Sequence, residues 1–246
     1  ENARSRVVTL LFFLALSVLM PNKVNAQIIE VGATGGVSYY IGDINPSKHF
    51  LQSELAYGAS LRYYQSLRWA FRLQYSRFNL TSSDEVVGFR PERNLSFQSK
   101  VDDISFIAEF NFFDYWTGSN KDFITPYIFA GVSFLTFNST DFQGNVLSSQ
   151  QNEGVSYNTY SWSIPFGLGV KYSLTKRLGA TLEWRIHKTF TDYIDDIEGY
   201  YLDEPEMQRG NGNSHVFGYN NDWYGILGLT LSYRFNLPSR TVCHGM

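Results

Sequence analysis

From Tyr160 to Leu174 the chain alternates with a period of two. Tyr160, Trp162, Ile164, Phe166, Leu168, Val170, Tyr172 and Leu174 interleave with Ser161, Ser163, Pro165, Gly167, Gly169, Lys171 and Ser173. In an extended strand that spacing puts one set on each face, whereas a helix scatters both sets around its axis. Held for about ten residues or more, it is the pattern of a strand with lipid on one side and a polar interior on the other. Seven further stretches carry related patterns, giving predicted strands at Ile28–Gly42, Glu54–Gln65, Arg68–Arg77, Asp103–Phe113, Thr125–Thr136, Asn158–Leu174, Leu178–Lys188 and Trp223–Phe235. Eight strands make the smallest common barrel. The expected fold is therefore all-β, an eight-stranded antiparallel transmembrane β-barrel of the small outer-membrane kind.

The N-terminus points to export. Arg4 and Arg6 precede an apolar run from Val7 to Met20, then Pro21, then the small-residue site Val24-Asn25-Ala26. This is the layout of a cleaved secretory signal, so residues 1–26 are expected to be a signal peptide, 27–236 the barrel and 237–246 a C-terminal tail. Beyond the signal no apolar run approaches the ~18 residues of a membrane helix, so membrane residence falls to strands. The single cysteine, Cys243, lies in the tail, which leaves neither a lipidation cysteine after the signal nor an internal disulfide. A net charge of −3 without a basic patch argues against nucleic acid as a partner.

Connection lengths suggest an orientation. The connections after strands two, four and six, at Gln65–Leu67, Asp114–Ile124 and Thr175–Arg177, are short, and those after strands one, three, five and seven are longer. Small barrels keep short turns in the periplasm and long loops outside, which places both termini in the periplasm and the long loops at the cell surface. Within the chosen registers the lipid-facing positions carry no charge. Aromatic residues are expected in two girdles: Tyr63, Trp69, Phe112, Tyr172, Tyr233 and Phe235 at the periplasmic rim, and Tyr39, Tyr57, Tyr75, Phe134, Tyr160, Trp162 and Trp223 at the outer rim.

The charges fall on the opposite faces. Glu30, Arg62, Arg72, Glu109, Glu183 and Arg185 are expected to pair within the barrel interior, which at eight strands has room only for side chains. Lipid-modifying hydrolysis would need a nucleophile beside a base, and His187 is the one histidine near a strand, with Ser38, Ser60 and Ser163 as serines able to face it. The simpler reading makes these serines small fillers, so no catalytic residue is assigned. No histidine shows metal-ligand spacing, and neither a metal nor a cofactor is assigned. The acidic stretch from Asp192 to Glu206 reads as a solvated loop, with cation or lipopolysaccharide binding as the alternative.

Several segments carry a family resemblance. Gly35-Gly36-Val37-Ser38-Tyr39-Tyr40-Ile41-Gly42-Asp43-Ile44-Asn45-Pro46, the stretch from Pro165 to Tyr201, Pro126 to Phe134 and Asp222 to Phe235 resemble the PorG family, an outer-membrane component of the Bacteroidota type IX secretion system. The most specific part is Lys188-Thr189-Phe190-Thr191-Asp192-Tyr193 followed by Asp195-Asp196. The resemblance implies a non-enzymatic barrel, embedded in outer-membrane lipid, that anchors a periplasmic ring of the lipoprotein PorK with PorN during protein export. Its working surface would be the periplasmic turns: Ser66 and Leu67, Asp114, Tyr115 and Trp116, and Thr175 and Lys176. Tyr115 and Trp116 suit an anchor because these residue types dominate binding hot spots, or else a place in the headgroup layer. A lipid-modifying enzyme and a surface adhesion or stability barrel are the alternatives.

Overall fold

The computed structural model describes residues 28–42, 45, 48–88, 96–140, 159–191, 194 and 222–235. All of them lie in the unit Ile28–Leu237; a second unit, Glu1–Gln27 with Pro238–Met246, lies outside the described residues. The expected signal peptide, the tail with Cys243 and all of the acidic 192–206 stretch except Ile194 are therefore outside them too.

Eight strands follow one another around a closed barrel: β1 (Ile28–Ile41), β2 (Glu54–Tyr64), β3 (Trp69–Ser83), β4 (Ser96–Asn111), β5 (Ile124–Thr140), β6 (Tyr160–Ser173), β7 (Leu178–Thr189) and β8 (Trp223–Phe235). Each pairs antiparallel with its neighbours in sequence, and β1 closes on β8. A closed sheet leaves no unpaired edge, which is what backbone needs where no water can satisfy it. One short helix, α1 (Asp84–Val87), follows β3.

The alternation read from the sequence is visible in burial. Along β6, Trp162, Ile164, Phe166, Leu168, Val170 and Tyr172 are exposed while Ser161, Ser163 and Lys171 are buried. Leu55 on β2 is 76% exposed, and Leu61, Leu73, Ile104, Phe106, Ile128, Val132, Leu182, Leu229 and Leu231 continue the apolar surface around the wall. An apolar belt of this extent, wrapped around a charged interior, is solvated by hydrocarbon and not by water. The fold is an eight-stranded antiparallel transmembrane barrel.

Three strands run further than the alternation indicated. The sequence places the end of β3 at Arg77 and the start of β4 at Asp103, yet pairing continues to Ser83↔Ser96, and β5 runs on to Thr140 opposite Gln98. The outward face of this extension turns polar at Arg77, Asp102 and Lys100, which hides it from a search for lipid-facing strands. Its inward face holds it together: Phe78, Leu80, Phe97, Val101, Leu135 and Phe137 are buried in one apolar cluster with Tyr40, Tyr224, Val87 and Ile194. That cluster fills the long-loop end of the barrel.

Candidate functional site

The lumen is layered below that apolar cluster. Its middle is ionic, and Glu109 on β4 is the hub. Arg62 Nε lies 3.0 Å and Arg72 Nε 2.9 Å from its carboxylate, and Lys171 Nζ 2.6 Å. Arg62 also reaches Glu30 at 3.3 Å, and Arg72 reaches Glu183 at 2.6 Å, whose other oxygen lies 3.6 Å from Arg185. The structure thus joins Glu30, Arg62, Arg72, Glu109, Glu183 and Arg185 in one connected network. Strand register explains it: Glu30 and Arg62 are direct partners across β1 and β2, as are Arg62 and Arg72 across β2 and β3. The two like charges meet only because Glu109 lies against both.

Lys171 was legible as an inward residue of β6 but its centrality was not. Its ammonium bonds Glu109 and Asn111 and sits 4.5 Å from the ring centre of Tyr127, with Tyr64 at 5.3 Å and Tyr115 at 6.0 Å. Aromatic faces and a carboxylate together replace the water that a buried ammonium loses. Arg68, predicted inside β3, instead occupies the β2–β3 turn and pairs with Asp114 at 2.9 Å on the exposed surface.

A second polar cluster sits higher in the lumen. His187 Nδ1 lies 3.1 Å from Ser163 Oγ, 2.8 Å from the Tyr224 hydroxyl and 3.8 Å from Asp103 Oδ2. Asp103 also accepts from Ser105 and Ser133. Serine, histidine and aspartate are therefore together, yet they do not form a relay. A nucleophile and an orienting acid must use different ring nitrogens, and here both meet Nδ1 while Nε2 has no hydrogen-bond partner. The Tyr224 ring stacks on the imidazole at 4.3 Å, and all four residues are buried in a filled lumen. Of the serines considered beside His187, Ser163 is adjacent; Ser38 bonds the carbonyls of Asn79 and Glu54, and Ser60 lies near Gly32. Asp103 was missed because it stands at the predicted boundary of β4, although its odd number shares the inward parity of Glu109.

The short-turn end is closed by the β4–β5 connection, residues 112–123. Its Thr117 hydroxyl donates to Glu30, and Arg234 donates to the Thr117 carbonyl while its guanidinium lies 3.5 Å from the Trp116 ring centre. Gly118 N–H donates to Ser173 Oγ at 2.7 Å, and Tyr115 N–H to the Leu67 carbonyl at 3.3 Å, tying the connection to both neighbouring turns. Gly118 has a φ of +94°, and a Cβ there would run into the Lys176 carbonyl. The connection is a plug. Tyr115 is only 2% exposed, packed on Tyr64, and burial pushes its phenol up to about 12, against a smaller opposing effect of the Thr117 hydrogen bond. The structure therefore places Tyr115 in the barrel mouth and Trp116 half in it, while Ser66, Leu67, Asp114, Thr175 and Lys176 remain exposed.

Both expected girdles lie on the outward face; Tyr63 and Trp223 are half-buried, and only Tyr39 is buried. Tyr39 is 1% exposed: Phe50 packs on it at 4.5 Å, and its hydroxyl accepts from Trp184 Nε1 at 2.8 Å. It lies across Gly225 of β8, where any side chain would meet its ring.

Among the described residues no cluster of three or more histidine, cysteine, aspartate or glutamate side chains is arranged to hold a metal ion. A family model described as "Domain of unknown function (DUF6089)" matches residues 6–244. No curated protein sequence matches the chain. Among solved structures, the chain is similar to Neisserial surface protein A, at 14% identity over 87% of this chain and 100% of that one, with a TM-score of 0.47. It is also similar to the N-terminal β-barrel domain of Pseudomonas aeruginosa OprF, at 16% identity over 85% and 97% with a TM-score of 0.44. The outer membrane enzyme PagL matches at 15% identity over 85% and 99%, with a TM-score of 0.32.

Proposed function

The chain belongs to the DUF6089 family, a membership that carries no activity with it, and from that premise we propose that it is a non-enzymatic outer-membrane barrel that anchors periplasmic partners. The observation that carries this reading is the filled lumen. An apolar cluster at one end, an ionic network in the middle and the Tyr115–Thr117 plug at the other occupy successive levels of the barrel interior. The His187 cluster lacks the two-sided geometry of a hydrolytic relay, which speaks against the lipid-modifying alternative. What is left for function is surface.

Connection length orients the barrel with its short turns in the periplasm. The face presented there includes Ser66, Leu67, Asp114, Thr175 and Lys176 around the plug. The resemblance to the PorG family supports the periplasmic ring of PorK and PorN in type IX secretion as that partner. A photocrosslinker at Leu67 or Lys176 in intact cells tests this, because both side chains are exposed at the short-turn end, outside the lumen. Recovery of a ring lipoprotein is the expected result. Capture of lipid alone from both positions, in cells where secretion is active, overturns the secretion role.

A further inference from the structure

One lipid-facing cation stands apart from the rest. Lys188, near the end of β7, has outward parity, and its cross-strand partners are Ile164 on β6 and Trp223 on β8. The other outward strand cations are accounted for: Arg77 pairs with Asp102 at 3.7 Å, and Lys100 lies between Asn79 and Asn138 in the polar extension. Lys188 has no carboxylate within ion-pair distance among the described residues, and its ammonium lies 5.5 Å from the Trp223 ring centre. Around it the wall is aromatic. Phe166 meets Trp223 edge-on at 6.3 Å, while Trp162 and Phe190 are 58% and 54% exposed.

An ammonium on a lipid-facing wall with no carboxylate partner among the described residues reaches for the interface, where a counter-ion from outside the protein can meet it. Lysine binds phosphate as a point charge, and tryptophan favours the same depth. We propose that Lys188, with Trp223, Phe166 and Trp162 beside it, is a binding site for the phosphate of a phosphorylated lipid, whose acyl chains lie along the aromatic wall. At the long-loop end that lipid belongs to the outer leaflet. The inference rests on the membrane orientation proposed above and not on the ring partner, so crosslinking at the short-turn end can fail while Lys188 still binds lipid, and the reverse.

The test uses the full chain refolded in detergent micelles, with bisphosphorylated lipid A added and retained lipid measured by native mass spectrometry. Wild-type retains the lipid, Lys188→Gln weakens retention roughly tenfold, as expected for loss of one charge-assisted contact, and Lys188→Arg restores it. Lys100→Gln serves as a control and leaves retention unchanged. Fully dephosphorylated lipid A binds wild-type no better than intact lipid binds Lys188→Gln. Equal retention by wild-type and Lys188→Gln, equal retention of the dephosphorylated lipid, or displacement of the lipid by an acidic peptide overturns the proposal. Heat-dependent gel mobility confirms that each variant is folded.

Discussion

At the scale of residues, two kinds of ion pair occur in this barrel and differ in worth. Glu109 faces Arg62, Arg72 and Lys171 without solvent, so Glu109→Gln leaves three cations with too little counter-charge. Removing one partner from such a buried group costs about 3–5 kcal/mol. The exposed Arg68–Asp114 pair carries about 0–1 kcal/mol, as surface pairs do. The expected outcome is a large drop in the urea midpoint of the barrel in lipid vesicles for Glu109→Gln and almost none for Asp114→Asn. Similar midpoints for the two variants contradict the hub role of Glu109. The inward facing of Glu30, Arg62 and Glu183 could be read from the alternation of their own strands. The hub could not, because it depends on which strands face one another across the lumen.

At the scale of elements, the β4–β5 connection illustrates what local sequence conceals. Asp114-Tyr115-Trp116 reads equally as a binding hot spot or a headgroup anchor, and both readings keep its aromatic groups outside. Instead Glu30 and Arg234, from strands adjacent only after closure, draw Thr117 and Trp116 into the mouth. Gly118 permits this through its positive φ and its close approach to Lys176. Gly118→Ala therefore strains the plug by about 1–3 kcal/mol. Hydrogen exchange in residues 112–123 is expected to quicken while the strand amides stay protected. Unchanged exchange across that segment shows the plug does not depend on Gly118. The β3–β4–β5 extension makes the complementary point: its inward apolar residues continue the strand pattern after the outward face has become polar.

For the whole molecule, closure and filling decide the kind of protein this is. A barrel of eight strands leaves space for side chains alone, and here the space is occupied from the Phe97 and Leu135 cluster down to Tyr115. Reconstituted in a planar bilayer, the intact protein is expected to give no steady conductance steps. A reproducible unitary current shows that the plug opens and the lumen conducts, which removes the support for an anchoring role. Lipid outside and charge inside also account for the composition: the aromatic surplus solvates the interfaces, and the charged residues in the middle of the strands are turned inward to one another, outward ones such as Arg77, Lys100 and Lys188 standing toward the long-loop end.

By itself the sequence determined the architecture, because a period of two is a local property and each strand carries its own record of which face meets lipid. It also determined that six inward charges share one interior. Only the tertiary structure decided which of them touch, that Lys171 is caged by three tyrosines, that His187 offers a single nitrogen to Ser163 and Asp103, and that Tyr115 faces inward. These are relations between residues distant in sequence, 111 positions apart for Arg72 and Glu183. They exist only once the first strand has paired with the last.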